Sequence, residues 1–255
     1  MIDAQSIDDG VHLKIMPLGA SIVWGQDSSD GNGFRLHLRD LLETNKGNKV
    51  EYVGTRFHGN MSNNACEAYP GNTIDQVEQL ALSSGSYKYI PNVFLVHLGT
   101  NDCMAVNNEN STIAIEHFND LLASIKQQNP NATVIASTLI ENLDPHTEEC
   151  ILDFNSRLPI LVDAARKGGH NVTLVDMHAA VPRSDINTTD LTHPNDAGYA
   201  IMAQVFYDGL KNASAFIEAP SSKGKAPPKS PSAASSTEMS FFLWSIVPLA
   251  IAMLG

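Results

Sequence analysis

The chain has 255 residues, enough for one domain of ordinary size plus a tail. A domain of that size buries enough apolar surface to be stable without a disulfide or a metal. Acidic side chains outnumber basic ones by 28 to 16, and the imbalance lies in residues 1–210, which hold 26 acidic and 12 basic side chains. This balance argues against a nucleic-acid-binding protein, whose surface must be basic to meet phosphates.

Short apolar runs alternate with amphipathic stretches along the first 210 residues. The predicted strands are 11–18, 50–54, 93–98, 132–139 and 172–177. The predicted helices are 33–43, 74–82, 112–128, 148–167 and 196–210. Near-continuous apolar strands separated by helices indicate a parallel sheet covered on both faces. We therefore predict an α/β fold, a flavodoxin-like three-layer α/β/α sandwich with a five-stranded parallel sheet in the order 2-1-3-4-5. Ligands of such sheets bind at the carboxyl ends of the strands.

The composition changes after residue 210. We predict a lead-in at 1–10, a domain at 11–215, a disordered linker rich in Ser, Pro and Lys at 216–240, and an apolar tail at 241–255. The tail is shorter than the ~20 apolar residues of a membrane-spanning helix. A signal for glycosylphosphatidylinositol (GPI) attachment is therefore favoured over a tail anchor or an unstructured apolar end. Because the lead-in lacks the apolar core of a signal peptide, we expect a further segment upstream of Met1.

Cysteines and glycosylation motifs bear on the compartment. The three cysteines, Cys66, Cys103 and Cys150, have no Cys-x-x-Cys spacing, so zinc and thiol-redox chemistry are not indicated. Cys103 and Cys150 both follow predicted strands and could pair at one edge of the sheet. Asn-x-Ser/Thr sequons, which hint at passage through the secretory pathway, begin at Asn60, Asn110, Asn131, Asn171, Asn187 and Asn212.

Two polar motifs stand at opposite ends of the predicted domain. Ser21 follows the first strand, in the run PLGASI, and Asp190 and His193 lie three residues apart in DLTHPNDAGY, where the last helix begins. A serine hydroxyl attacks a carbonyl only when a base removes its proton, and an imidazole with a pKa near ~6.5 suits that task. A carboxylate can fix the other ring nitrogen and stabilise the imidazolium.

Two further blocks could supply hydrogen-bond donors. Gly71 lies in a Pro-Gly pair in the long loop after the second strand, and Asn101 follows the third strand in the run GTND. Together with the backbone N–H of Ser21, the backbone N–H of Gly71 and the amide of Asn101 could bind the oxyanion of a tetrahedral intermediate. Asp102 is interpreted as structural, bonded to backbone within its own turn.

These four blocks, in this order, resemble the SGNH (GDSL-type) hydrolases, and in particular a fungal branch that resembles carbohydrate esterase family 3. The resemblance implies a catalytic triad of Ser21, Asp190 and His193. It also implies the sheet order 2-1-3-4-5 and short acyl groups, acetyl first, on plant or fungal polysaccharide as the substrate. The absence of a Gly-x-Ser-x-Gly elbow separates the chain from ordinary α/β-hydrolases.

The chain departs from the family pattern at several positions. Ala20 precedes the nucleophile where many GDSL enzymes carry Asp, and the segment EAYPG stands where the fungal branch has EGHPG or EGWPG. Tyr69 keeps an aromatic ring, so it could form a stacking wall of the site. Trp24 and the loop 25–33 could form the opposite wall, with core packing an equal alternative for the ring.

No cofactor is indicated, because neither a phosphate-binding Gly-x-x-x-x-Gly-Lys pattern nor a dinucleotide fingerprint occurs. Asp176 and His178 flank the fifth strand, but they lack further ligands nearby in sequence, so we predict no metal site. His97 is interpreted as a hydrogen-bonded core residue.

We therefore predict a serine esterase that hydrolyses short-chain acyl esters on carbohydrate through an acyl-enzyme. One alternative keeps the triad but acts on a lipid or lysophospholipid, and another is a catalytically idle carbohydrate-binding or wall protein. The expected partners are an acylated carbohydrate or other small ester, with membrane attachment through the tail and no nucleic acid. We expect a monomer at the cell surface or outside the cell, while the missing signal peptide leaves a cytoplasmic location open.

Overall fold

A computed structural model describes residue 7 and residues 10–44, 47–107 and 110–226. The strands are β1 (His12–Gly19), β2 (Lys49–Tyr52), β3 (Arg56–Phe57), β4 (Ala65–Ala68), β5 (Val93–His97), β6 (Thr133–Ser137) and β7 (Val172–Val175). The helices are α1 (Ser21–Trp24), α2 (Phe34–Thr44), α3 (Ile74–Ser84), α4 (Ser111–Gln128), α5 (Pro145–Lys167), α6 (Met177–Ala180) and α7 (Asp196–Asn212). All five predicted strands and all five predicted helices are present, and most ends lie within two residues of their predicted positions.

The sheet is built around β1. β5, β6 and β7 follow it in turn on one side, each parallel to its neighbour, while β2 and β4 both pair with β1 on the other side. β2 pairs with the first half of β1 and β4 with its last two residues. The predicted α/β fold and strand order are thus confirmed. The strand count is wrong, because the second position is split in two and β3 adds an antiparallel edge to β4.

The split of the second position has a local cause at Gly54. This glycine has φ +155°, and a Cβ there would lie 2.1 Å from the carbonyl oxygen of Cys66. Only a glycine therefore lets the backbone that follows β2 pass this close to β4. The β4 sequence ACEA carries residues that are depleted in strands, so its pattern did not predict a strand. Its buried Glu67 accepts hydrogen bonds from Thr55, Ser84 and the Tyr69 hydroxyl.

Alternating side chains of the central strands fill two cores. Leu13 and Ile15 of β1 pack into a cluster with α2 and α7 on one face of the sheet. Met16 and Leu18 pack into a second cluster with α3, α4 and α5 on the other face. A parallel sheet covered on both faces holds its strand ends rigidly, so the loops at the carboxyl edge start from fixed positions.

The contacts of the domain continue past residue 215, where the sequence predicted a disordered linker to begin. Asn92 donates to the backbone carbonyl of Glu218, and the backbone of Lys225 bonds to Lys88. Lys14 reaches the carbonyl of Lys225. Polar side chains at the amino-terminal edge of the sheet thus hold this segment by its backbone, which composition does not reveal.

No helix within the described residues combines the length and the hydropathy that a membrane crossing requires. The predicted tail at 241–255 lies outside the described residues, as do residues 227–240 and most of the lead-in. Cys103 and Cys150 form a disulfide that joins the loop after β5 to the first turns of α5, and Cys66 is a buried free thiol.

Candidate active site

The predicted site residues meet at the carboxyl edge of the sheet. Ser21 follows β1, Asn101 follows β5 and His193 lies between β7 and α7. Gly71 follows β4 rather than the second predicted strand, because β4 completes that position of the sheet. The order of the strands therefore gathers residues that are up to 172 positions apart in sequence.

A chain of two short hydrogen bonds links serine, imidazole and carboxylate. The Oγ of Ser21 lies 2.7 Å from Nε2 of His193, and Nδ1 of His193 lies 2.6 Å from Oδ2 of Asp190. The carboxylate accepts the Nδ1–H, so Nε2 is left with the lone pair that can accept the hydroxyl proton of Ser21. Ser21 and His193 are largely buried, with 9% and 7% of their surface exposed.

Backbone N–H groups of the turn that follows Asp190 hold its carboxylate in place. Oδ1 of Asp190 accepts the N–H groups of Thr192 at 2.9 Å and His193 at 3.0 Å, and Leu191 between them has φ +67°. Partial burial by itself would raise the pKa of Asp190, but these two backbone donors and the imidazole lower it more, so the net pKa lies below its ordinary value. The carboxylate is therefore charged at neutral pH.

Ser21, the predicted nucleophile, lies in the first turn of the four-residue helix α1. Gly19 leads into it, and a Cβ at that position would lie 2.5 Å from the carbonyl oxygen of His97 on the neighbouring strand. Gly25, with φ +91°, ends the helix after one turn. Because the first N–H groups of a helix have no intrahelical partner, the backbone N–H of Ser21 is free to donate to a ligand.

Gly71 and Asn101 lie on adjoining loops. The segment Tyr69 to Asn72 is a turn closed by the N–H of Asn72 on the carbonyl of Tyr69 at 3.2 Å, with Pro70 and then Gly71 at φ +82° in the middle. This is a type II turn, which requires glycine at its third position. The open space around Gly71 shows that the positive φ, rather than crowding by the protein, demands glycine there.

Asn101 is held against the same turn by its side chain. Its Nδ2 donates to the carbonyl of Asn72 at 2.8 Å, which uses one of the two amide hydrogens. Asp102 reaches beyond its own turn, where it was predicted to bond, and accepts the N–H of Ile74 at the start of α3 at 3.1 Å. The disulfide of Cys103 anchors the other side of the Asn101 loop.

Two aromatic rings flank a guanidinium beside the site. Trp24 stacks on His58 with centroids 4.4 Å apart, and the Cζ of Arg56 lies 5.5 Å from the ring centroids of both Trp24 and Tyr69. Both rings are half-buried, and each also packs against one of the two cores. The two predicted walls therefore lie close together, joined by an arginine that the sequence did not single out.

The remaining candidates, His97, Asp176 and His178, each have hydrogen-bond partners within the fold. His97 is a core residue as predicted, 2% exposed, with Nδ1 2.8 Å from the Oγ of Ser137. His178 bonds to Glu148, whereas Asp176 caps α6 and bonds to Thr138. These contacts account for the two residues as structural groups.

One carboxylate near the triad was missed. Asp27, Asp190 and His193 each place a ligand-type atom within 4.8 Å of the other two, so Asp27 stands beside the triad carboxylate. Its own partner is the Nδ2 of Asn187 at 2.6 Å. The sequence showed Asn187 only as a glycosylation motif, and it carried no signal that linked that residue to Asp27.

A model of the GDSL-like lipase/acylhydrolase family matches residues 18–201, which include the nucleophile loop and the histidine loop. The chain belongs to this family of hydrolases, as its motifs predicted. A multidomain esterase of Ruminococcus flavefaciens is 25% identical over 248 residues, a match that covers 86% of this chain and 31% of that protein. The chain thus spans about a third of the length of this curated relative.

Solved structures share the fold. A family 3 carbohydrate esterase of Clostridium thermocellum superposes with a TM-score of 0.68 at 23% identity, over 81% of this chain and 100% of that one. A carbohydrate esterase family 3 protein of Talaromyces cellulolyticus gives a TM-score of 0.67 at 18% identity, with the same coverage of both chains. At these identities the likeness establishes the architecture, and roles for individual residues rest on the geometry above.

Proposed function

We propose that the protein is a serine esterase that removes short acyl groups, acetyl first, from carbohydrate through an acyl-enzyme. The observation that carries the proposal is the continuous chain from Ser21 through His193 to Asp190. Membership of an acylhydrolase family and the likeness to two carbohydrate esterases support the same class of reaction.

The proposed reaction begins with attack of the Ser21 Oγ on the ester carbonyl carbon while Nε2 of His193 takes the hydroxyl proton. Asp190 stabilises the imidazolium through Nδ1–H. The carbonyl oxygen, now negative, accepts the N–H groups of Ser21 and Gly71 and the second amide hydrogen of Asn101. The C–O bond to the alcohol then breaks, and the imidazolium returns its proton to that alcohol. Water repeats the sequence on the acyl-enzyme and releases the acid.

The space next to the nucleophile supports a small acyl group. A cavity of about 10 Å³ lies between Ser21 and Asn101, lined also by Ala20, His97 and Gly99. A cavity of this size holds about one water molecule. It suits a methyl group better than a long alkyl chain.

Hydrolysis of p-nitrophenyl acetate and labelling by a fluorophosphonate probe test the proposal. Wild-type protein should hydrolyse the acetate and take up the label, and Ser21→Ala should lose the label and reduce kcat by about 10⁴-fold or more. Ser83→Ala, which changes an exposed serine on α3, is the matched control and should behave as wild type.

The same assays separate the alternatives. Faster hydrolysis of p-nitrophenyl decanoate than of the acetate would favour a lipid esterase. Folded wild-type protein that neither hydrolyses the acetate nor takes up the label would favour an idle module on the same fold. Either result contradicts the proposed function.

The proposed place of action is the cell surface or the extracellular space. The Cys103–Cys150 disulfide supports it, because such bonds persist in oxidising compartments. The amides of Asn131 and Asn187 donate to the carboxylates of Glu218 and Asp27. Within the described residues the other four sequon asparagines have no carboxylate contact, so their amides can accept a glycan more readily. A mass decrease on glycosidase treatment of protein isolated from its natural source tests this location, and an unmodified, fully reduced chain would contradict it.

A further inference from the structure

Arg56 differs from every other arginine of the chain in what it contacts. The other five each bond to a carbonyl, hydroxyl or carboxylate oxygen; they are Arg35, Arg39, Arg157, Arg166 and Arg183. Within the described residues, Arg56 has neither a hydrogen bond from its side chain nor an ion pair, and it contacts the rings of Trp24 and Tyr69 instead. Its exposed guanidinium therefore keeps its N–H donors for a ligand.

The nearest buried carboxylate does not neutralise this group directly. Glu67 follows the residue that pairs with Arg56 across the β3–β4 hairpin, but its two oxygens accept from Thr55, Ser84 and Tyr69. No oxygen of Glu67 comes within ion-pair distance of the guanidinium. The aromatic faces stabilise the cation by cation–π attraction and leave its charge uncompensated at the surface.

The two rings that Arg56 contacts belong to the loops that carry the candidate site residues. Trp24 is the last residue of the helical turn that starts with Ser21, and Tyr69 opens the turn that carries Gly71. The N–H of Tyr69 also bonds to the carbonyl of Gly19, just before the nucleophile. The guanidinium is therefore tied, through the two rings, to the loops of the groups proposed to bind the ester.

A guanidinium presents a planar fork of donors that matches a carboxylate, and the flanking rings hold the Arg56 fork in place. The first 210 residues carry a strong excess of acidic side chains, which repel anions from most of the surface. An arginine without an ion-pair partner is therefore a local site that attracts an anion. We propose that Arg56, with Trp24 and Tyr69, forms a subsite for the carboxylate of a uronic acid unit adjacent to the acylated sugar. The proposal rests on the proposed function and narrows its substrate to acidic acetylated polysaccharide.

The test compares acetate release from an acetylated oligogalacturonide and from the same preparation with its carboxyl groups methyl-esterified. Wild-type protein should show a kcat/KM about tenfold higher on the charged substrate, mostly through KM, and this preference should shrink as salt rises. Arg56→Gln should lose the preference and keep wild-type rates on the methyl-esterified substrate and on p-nitrophenyl acetate. Arg56→Lys, which keeps the charge but not the planar set of N–H donors, should retain part of the preference for the charged substrate.

Arg157→Gln provides the matched control, because it removes one positive charge from an exposed arginine on α5 that pairs with Asp153. It should keep the full preference. Equal losses for Arg56→Gln on charged and uncharged substrates would overturn the proposal, since Arg56 would then only support the two rings. Equal wild-type rates on both substrates would also overturn it. A wild-type protein inactive on p-nitrophenyl acetate would instead refute the proposed function.

Discussion

Asn101 shows how one side chain can serve two neighbours. One amide hydrogen is donated to the carbonyl of Asn72, which keeps the Gly71 turn in place, and the other is the donor proposed for the oxyanion. The same residue thus positions one proposed donor and is itself another. An aspartate at this position could accept hydrogen bonds but would repel a developing negative charge.

Replacement of Asn101 by alanine should leave the fold intact and lower kcat by about 10²- to 10³-fold, with little change in KM, because the lost donor acts on the transition state. Steady-state kinetics on p-nitrophenyl acetate measures the effect, and Asn131→Ala, on an exposed asparagine at the far edge of the sheet, serves as control. Asn101→Asp should be at least as impaired. An Asn101→Ala variant with unchanged kcat would remove Asn101 from the mechanism.

His97 is a histidine whose pKa is set by its burial in the core. Ser137 donates its hydroxyl hydrogen to the carbonyl of Val96, so its oxygen accepts the Nδ1–H of the neutral His97 ring. Burial lowers the pKa of His97 from 6.5 to about 4. The ring therefore stays neutral in the folded protein at a pH where it is protonated in the unfolded chain.

This difference predicts how stability depends on pH. The unfolded state binds the proton of His97 more tightly than the folded state does. The free energy of unfolding is therefore unaffected by this group above about pH 6.5, and it decreases by up to about 3 kcal/mol as the pH falls towards 4. Urea unfolding at pH 7 and pH 4.5 should show a smaller loss for His97→Asn, which keeps a donor near Nδ1, than for wild type. An NMR titration that puts the folded ring near pKa 6.5 would contradict the assignment.

At the scale of elements, the loop after α1 is fastened to the start of α7 and to the loop before α7. Tyr199 donates its hydroxyl to the carbonyl of Gln26 at 2.6 Å, and Asp196 accepts the N–H of Ser29 at 2.8 Å. The third connection is the bond from Asn187 to Asp27. These contacts bring the nucleophile loop and the histidine loop to a fixed separation, which a bond of 2.7 Å between Ser21 and His193 requires.

The Asn187 connection predicts a catalytic effect at a residue outside the triad. Asn187→Ala should lower kcat/KM by a few-fold to about tenfold, the scale of one ordinary hydrogen bond, because Asp27 then loses the amide that holds it in place beside Asp190. Thr189→Ala abolishes the same sequon but keeps the amide, since Thr189 contributes only its backbone N–H to Asn187. Kinetics on p-nitrophenyl acetate should therefore distinguish the two variants, and equal rates for both would show that the connection does not matter.

At the scale of the whole molecule, two packed faces of the sheet provide the stability and one covalent link reinforces it. The Cys103–Cys150 disulfide closes a loop of 47 residues that contains β6 and the whole of α4. It limits the freedom of the unfolded chain and ties the loop of Asn101 to α5. Cys66 contributes no such link, and burial raises the pKa of its thiol to about 11, so it is a poor nucleophile at neutral pH.

Removal of the disulfide should therefore cost stability. The variant Cys103→Ser/Cys150→Ser should unfold with a free energy lower by about 2–4 kcal/mol. Denaturant unfolding measures the difference, and dithiothreitol should lower the stability of wild type to that of the variant while it leaves the variant unchanged. A wild-type protein indifferent to reduction would show that the loop is constrained by packing alone.

The sequence by itself determined the alternation of strands and helices, the parallel sheet and the four polar blocks that follow its strands. These features are local, because hydrophobic periodicity and turn residues act over a few positions along the chain. The split at Gly54 escaped prediction because it reflects the close approach of Cys66, which is distant in sequence. The strand β4 escaped because the sequence ACEA carries residues that are depleted in strands.

Only the tertiary structure decided which polar groups touch. It set Arg56 between two aromatic rings and Asn187 against Asp27, contacts between residues up to 160 positions apart that no local pattern encodes. It also brought Ser21 within bonding distance of His193 across 172 positions. Such contacts depend on how the sheet orders its strands and how the loops fasten to one another, and those are properties of the packed molecule rather than of any segment.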